Sequence, residues 1–322
     1  MTHNVNNLVN SAWERGYHDG FAHSQHQGVF SLRDIHRTWY QWMSEVALTG
    51  LEGELYALLS STYFQSYCSF YPDCYHKKLL LPTSKSVSVI VTVRNEQDTV
   101  CKVLNELERI SFDEIIAVIN GTTDQSYHLI KHEYPSVTIV NYFQPLGHDV
   151  GRAIGAKVSQ ADMMLFLDGD IVIPAEQLMP YVYSINTDLD IALNNIEPLI
   201  RHLPSQDHVT VLKEFLNYVL GREDLEMNSL TAIPHAMSRE AIQAIGLDNL
   251  IVPPKAFAIA IDKKLRIGSP ASIDVLTTNR VRKENRGSIN PVAELIIGDH
   301  IEALHYMMSL YGPRFHEKKG AT

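Results

Sequence analysis

The run Ser86-Val87-Ser88-Val89-Ile90-Val91-Thr92-Val93 constrains this chain more than any other segment. Its β-branched residues show no clean polar–apolar alternation, so it reads as a strand buried on both faces. Such strands belong to parallel sheets covered by helices on either side. The following segments repeat the demand. Asp98 to Arg109 reads as a helix with Val100, Val103, Leu104 and Leu107 on one face. Then come a strand at Glu114 to Ile119, a helix at Asp124 to Glu133 and a strand at Val137 to Tyr142. A helix at Val150 to Ser159 leads to a strand at Met163 to Leu167. This order predicts an α/β fold, a Rossmann-like, mostly parallel sheet flanked by helices. Ligands bind such sheets beyond the carboxyl ends of the strands. Three of those ends are polar here: Thr92 to Glu96, Asn120 to Asp124, and Asp168 to Asp170.

The chain changes character near residue 82. All three tryptophans, Trp13, Trp39 and Trp42, lie before it. Ile35, Trp39, Trp42 and Val46, then Leu51, Leu55, Leu58 and Leu59, recur at helical steps, and Gly50 and Gly53 mark a break between two helices. Residues 1–82 are therefore expected as a small helical N-terminal region and 83–322 as the main domain, with Leu81-Pro82-Thr83-Ser84-Lys85 as a linker. Tyr17 and Phe21 stack on one helical face, whereas His18 and His23 do not, so an aromatic face is expected there rather than a metal site.

Composition excludes some function classes. A formal charge of −10 argues against a general nucleic-acid binder. The polar N-terminus and the lack of a long apolar run predict no transmembrane segment and a cytoplasmic protein. The cysteines, Cys68, Cys74 and Cys101, are odd in number and lack framework spacing. That fits a reducing compartment and buried thiols. Cys68, Cys74 and His76 match no common zinc spacing.

Asp168-Gly169-Asp170 is the most informative tripeptide. It follows the apolar run Met163 to Leu167, so its carboxylates emerge at the top of a buried strand. Two close carboxylates repel unless a cation sits between them. Hard oxygen ligands suit Mg²⁺ or Mn²⁺, which keep positions open for phosphate oxygens. A surface turn is the plain alternative.

Four motifs in register widen the picture: Val89-Ile90-Val91-Thr92-Val93-Arg94-Asn95-Glu96, Ile119-Asn120-Gly121-Thr122-Thr123-Asp124, Gly151-Arg152-Ala153-Ile154-Gly155-Ala156, and Leu165-Phe166-Leu167-Asp168-Gly169-Asp170. Together they resemble the family 2 glycosyltransferases of GT-A fold over residues 86 to 175, and more weakly to about 268. The resemblance implies a metal-dependent transferase using a nucleoside-diphosphate sugar, a UDP-sugar, as donor. It places Thr92, Arg94 and Glu96 at the base and ribose. Asn120 falls where the family usually has an aspartate reading the uracil imide. Asp124 matches the aspartate closing that loop, or caps the next helix. Arg152 falls near the nucleotide diphosphate, Asp168 near ribose and metal, and Asp170 on the direct metal ligand. An acceptor-side segment is implied from about residue 175, ending in a C-terminal helix.

The resemblance breaks at one point. Many inverting relatives carry a carboxylate base near a position corresponding to Val252-Pro253, and this chain has none there. Substitutes are Asp299 and Glu302, and His235 in Ile233-Pro234-His235-Ala236. His300 fits the histidine that several GT-A enzymes add as a third metal ligand. Otherwise Asp299 starts a helix running from Ile301 to Leu310. Lys255, Lys263, Lys264, Arg266, Arg280, Arg282, Lys283 and Arg286 form a basic stretch in an acidic protein. It reads as a lid at Thr278 to Asn290 that folds over the diphosphate, or as a solvated loop.

Two function classes follow. One is sugar transfer to an unknown glycan or protein acceptor. The other is a non-catalytic nucleotide-sugar-binding or scaffold protein, for which the missing carboxylate speaks. Self-association into a homo-oligomer is open.

Overall fold

The computed structural model describes residues 2–26, 30–46, 53–72, 74, 78–200, 208–275 and 291–315. Seven strands build its sheet: β1 (Val87–Val93), β2 (Glu114–Asn120), β3 (Thr138–Tyr142), β4 (Met163–Asp168), β5 (Ile191–Asn194), β6 (His235–Ser238) and β7 (Ile267–Ala271), in the order β3-β2-β1-β4-β6-β5-β7. β3, β2, β1 and β4 run parallel. β6 is antiparallel to β4 and β5, and β7 is parallel to β5. The helices are α1 (Thr2–His26), α2 (Leu32–Glu45), α3 (Gly53–Tyr67), α4 (Val100–Glu108), α5 (Ser126–Glu133), α6 (Val150–Val158) and α7 (Met179–Thr187). They continue with α8 (Glu197–Ile200), α9 (His208–Val219), α10 (Arg239–Ile245), α11 (Pro253–Asp262) and α12 (Pro291–Tyr311).

The sheet separates two cores because successive side chains of a strand face opposite ways. Val87, Val89, Val91 and Val93 of β1 face one core with Leu165 and Leu167 of β4. That core continues through α4 and α7 into Ile35, Trp39 and Trp42 of α2 and Tyr56, Leu59 and Tyr63 of α3. Ile90, Ile116, Val118, Met164 and Phe166 face the other, which α6, α10, α11 and α12 close with Ala153, Ile242, Phe257 and Met307.

The N-terminal helices are fastened to this frame. Leu79 N–H donates to the Arg109 carbonyl at 2.7 Å and Ser111 N–H to the Leu79 carbonyl at 3.0 Å. Leu80 N–H donates to Ser60 Oγ at 2.7 Å. The segment expected as a linker is buried from Leu81 to Thr83, and Thr83 Oγ1 donates to Asn186 Oδ1 at 2.7 Å. His36, on the buried face of α2, contacts Ser111 Oγ at 2.7 Å, and burial pushes its pKa down to about 4.

α1 lies against α3 at two glycines one turn apart. A Cβ on Gly16 would sit 2.5 Å from the Tyr63 carbonyl oxygen, and one on Gly20 2.4 Å from that of Tyr67. Only hydrogen fits in that gap. Gly20→Ala is therefore expected to destabilise the protein by about 2 kcal/mol through overpacking. Urea unfolding beside the parent protein checks it.

Two expectations are corrected here. Cys68 and Cys74 are not free thiols: they are joined in a disulfide at the end of α3, and Cys101 alone remains a thiol. The turn after Tyr67 brings the two Cα atoms to 5.6 Å, a proximity that cysteine count alone does not reveal. The C-terminal helix does not begin at Asp299. It begins at Pro291, so Asp299 and His300 lie mid-helix and cap nothing. No described helix is long and apolar enough to cross a membrane.

Candidate active site at the carboxyl ends of the central strands

β1 and β4 are neighbours in register, Thr92 opposite Asp168, which places the two polar ends together. Thr92 Oγ1 donates to Asp168 Oδ1 at 2.6 Å. The turn that follows is held from both sides. Gly169 N–H donates to the Thr92 carbonyl at 2.8 Å, and Thr99 Oγ1 donates to the Gly169 carbonyl at 2.9 Å. Asp170 leaves that turn half-buried. Two carboxylates thus stand on a fixed backbone where a parallel sheet opens to ligands.

A buried cation faces one of them, Asp168. Arg152, on α6, is only 6% exposed. Its Nη2 lies 3.9 Å from Asp168 Oδ2 and its Nη1 3.2 Å from Asp149 Oδ1. Nη1 also donates to the Leu230 carbonyl at 3.0 Å. Asp149, itself buried, is a member the sequence reading missed, although its spacing of three from Arg152 at a helix start was a visible signal.

β2 supplies the second wall. Asn120 is engaged at both ends of its amide: Nδ2 donates to the Gly147 carbonyl at 2.6 Å, and Oδ1 accepts from Leu146 N–H at 2.8 Å. It therefore holds the loop before α6. Gly121, at φ +66, lets that loop approach, since a Cβ there would lie 2.7 Å from Pro145 N. Asp124 ties two loops, accepting from Gln97 N–H at 3.0 Å and Ser126 N–H at 2.9 Å. Asn95, in the left-handed region at φ 59, accepts from Thr123 N–H at 2.8 Å. Arg94 is exposed at the mouth, and Glu96 is buried below it, its N–H donating to Ser126 Oγ at 2.8 Å.

The other side is formed by β6 and the C-terminal helices. His235 stacks on Phe166, ring centres 4.9 Å apart, with Nδ1 donating to the Ala232 carbonyl at 3.0 Å. Burial, reinforced by the Arg152 charge, pushes its pKa down to about 3, so it is neutral at physiological pH. Beneath Arg152 lies a hollow lined by Phe166, Leu230, His235, Leu250 and Pro253. Pro253, at the position where the resemblance implies a carboxylate, therefore contributes to an apolar wall. Asp299 is half-buried on α12, and burial, then the Asp149 and Glu302 carboxylates, raise its pKa to about 6. Glu302 turns outward to Lys255 Nζ at 2.9 Å.

His300 is placed elsewhere. Its ring is fully buried within the C-terminal helices, where Lys213 of α9 and above all burial lower its pKa. Nδ1 donates to the Ile296 carbonyl at 2.7 Å. Among the described residues no third His, Cys, Asp or Glu gathers with Asp168 and Asp170. The arrangement still suits Mg²⁺ or Mn²⁺, which take few protein carboxylates and fill the remaining positions with water and phosphate oxygens. The lid expected at Thr278 to Asn290 lies outside the described residues. Of the basic stretch before it, Lys255 and Arg266 are paired, with Glu302 and Asp190.

A parallel core with antiparallel additions, open at paired carboxylates after its fourth strand, is a GT-A-like fold. Residues 88–236, just under half of the chain, match the family model "Glycosyl transferase family 2". No curated protein matches the chain. Among solved structures it is similar to glucosyl-3-phosphoglycerate synthase from Mycobacterium tuberculosis in complex with uridine diphosphate. The identity is 16%, over 68% of this chain and 80% of that chain, with a TM-score of 0.50. It is likewise similar to the same enzyme in complex with phosphoglyceric acid, at 17% identity, 68% and 80% coverage and a TM-score of 0.50. These likenesses show the shared fold.

Proposed function

We propose that this protein is a metal-dependent glycosyltransferase that moves a sugar from a UDP-linked donor to the hydroxyl of a glycan or protein acceptor. The observation that carries the reading is the Asp168-Gly169-Asp170 turn, fixed by Thr92 and Thr99 and faced by the buried Arg152. The family match and the uridine diphosphate held by the similar synthase support it. Asp168 and Asp170 are the residues that would hold Mn²⁺ or Mg²⁺, which supplies charge stabilisation for the diphosphate leaving group. Arg152 adds a fixed positive charge beside that position. The wall of Thr92, Arg94, Glu96 and Asp124 receives base and ribose. Asn120 takes part through the loop it positions, because its amide is already occupied.

Asp299 is the proposed base, taking the proton of the acceptor hydroxyl. Its pKa, raised to about 6, makes it basic enough to accept a proton while still below neutral pH, so the carboxylate form prevails there. The rate is therefore expected to rise with pH through about 6, since only the carboxylate form can act. Asp299→Asn should lower kcat roughly 100-fold or more while leaving UDP affinity unchanged. A pH–rate profile of both proteins checks it, and an unaltered profile in the variant removes Asp299 from the reaction.

Calorimetric titration of UDP, GDP, CDP and dTDP, with and without Mn²⁺, tests the donor class. Metal-dependent binding of UDP alone is expected. Binding of no nucleotide under any condition would leave a scaffold of the same fold, the reading that the lack of a carboxylate at Val252-Pro253 favours.

A further inference from the structure

The loop before α6 carries a residue the reaction scheme does not use. Asp149 occupies the N-cap position of α6, where an aspartate ordinarily accepts a backbone N–H, yet its side chain makes no capping hydrogen bond. It is buried and turned instead to the Arg152 guanidinium at 3.2 Å. Arg152 is thus shared unequally: close to Asp149, bonded to the Leu230 carbonyl, and 3.9 Å from Asp168. At that last distance it is an ion pair without a hydrogen bond. Only a small swing of the guanidinium separates this state from a direct, charge-assisted Arg152–Asp168 bond, which is short and strong.

We propose that Asp149 is a positioning residue that holds Arg152 back from Asp168, so that the Asp168 carboxylate stays open to a divalent cation. The proposal rests on the reading of Asp168 and Asp170 as metal ligands. A guanidinium seated on Asp168 and a cation at the same oxygens exclude one another, so whatever retains Arg152 sets the cation's affinity. With Asp149 neutralised, the only carboxylate left within 4 Å of Arg152 among the described residues is Asp168, as the ion-pair distances show. Thr92 cannot substitute for Asp149, because its hydroxyl holds the other Asp168 oxygen.

The test is Mn²⁺ binding by the full chain without nucleotide, read as free Mn²⁺ by electron paramagnetic resonance. Asp149→Asn is expected to weaken binding about tenfold, a change of about 1.4 kcal/mol. Asp149→Glu should restore most of it. Arg152→Gln should bind Mn²⁺ at least as tightly as the parent. On that background Asp149→Asn should change affinity less than twofold, because no guanidinium remains to be held. A tenfold loss on both backgrounds would mean that Asp149 acts only by its own charge, and would overturn the proposal. So would a lowered melting temperature for Asp149→Asn with unchanged Mn²⁺ affinity. Should Asp149→Asn not fold, weakened binding in Arg152→Gln would overturn it independently. Failure of the parent protein itself to bind Mn²⁺ would instead sink the metal reading on which the proposal stands.

Discussion

Asp170→Ala is expected to abolish Mn²⁺-dependent UDP binding and to lower turnover roughly a thousandfold. Losing the cation forfeits several kcal/mol of stabilisation of the leaving diphosphate, and about 1.4 kcal/mol is a factor of ten. The effect should be local. Asp170 is half-buried on a turn whose backbone is held by Thr92 and Thr99, neither of which the substitution touches. Thermal unfolding should therefore be nearly unchanged while the calorimetric signal with Mn²⁺ vanishes. Equal UDP binding by variant and parent would remove Asp170 from the site. Removal of metal from the parent with a chelator should reproduce the variant's loss, and added Mn²⁺ should reverse it in the parent alone.

Acid is expected to act on the fold more strongly than on the surface charges. His36 and His235 are both buried and neutral, with pKa values lowered from 6.5 to about 4 and about 3. In the unfolded chain both regain ordinary values and take up protons below pH 6.5. Stability is thus fully present above 6.5 and falls as pH drops toward the folded values. At pH 5 each histidine should cost about 2 kcal/mol, together about 4 kcal/mol, a large share of the stability of a typical domain. Asp299 works in the opposite sense, since its folded pKa is raised, and offsets part of the loss. Urea unfolding at pH 7 and pH 5 measures the slope. His36→Gln should flatten it by about 2 kcal/mol, and an unchanged slope in that variant would refute the assignment. His235→Gln should do the same, but it also disturbs the ring stacked on Phe166.

The sequence was most legible where structure is local. The β-branched run at β1 and the alternation after it predicted every element from Val87 to Asp168 within two or three residues, because each carries its own period and the sheet they form is mostly parallel. The same alternation put Thr92 and Asp168 at strand ends, and their register then brought them into contact. β5, β6 and β7 were not read. They are four or five residues long, and their pairing joins segments about forty residues or more apart, which no local pattern records. The helix start at Asp299 was misjudged because a capping-type residue was taken as a boundary, while Pro291 was the true first-turn signal. The Asp149–Arg152 pair escaped for a related reason. An aspartate before a helix has an ordinary structural explanation, and only its distance to the guanidinium shows that it does something else.

The division of the sheet into two cores has a consequence for how the polypeptide is made. A ribosome delivers α1 to α3 before any strand, so the face of Val89 and Val91 has its cover waiting when β1 emerges. The opposite face is covered piecemeal. α6 reaches Ile90 first, whereas Phe257 and then Met307 are added only after every strand from β1 to β6 has been synthesised. That half-finished sheet is the species a chaperone would encounter. Cutting before α12 would make the exposure permanent, removing Ala303 and Met307 from that side of the sheet.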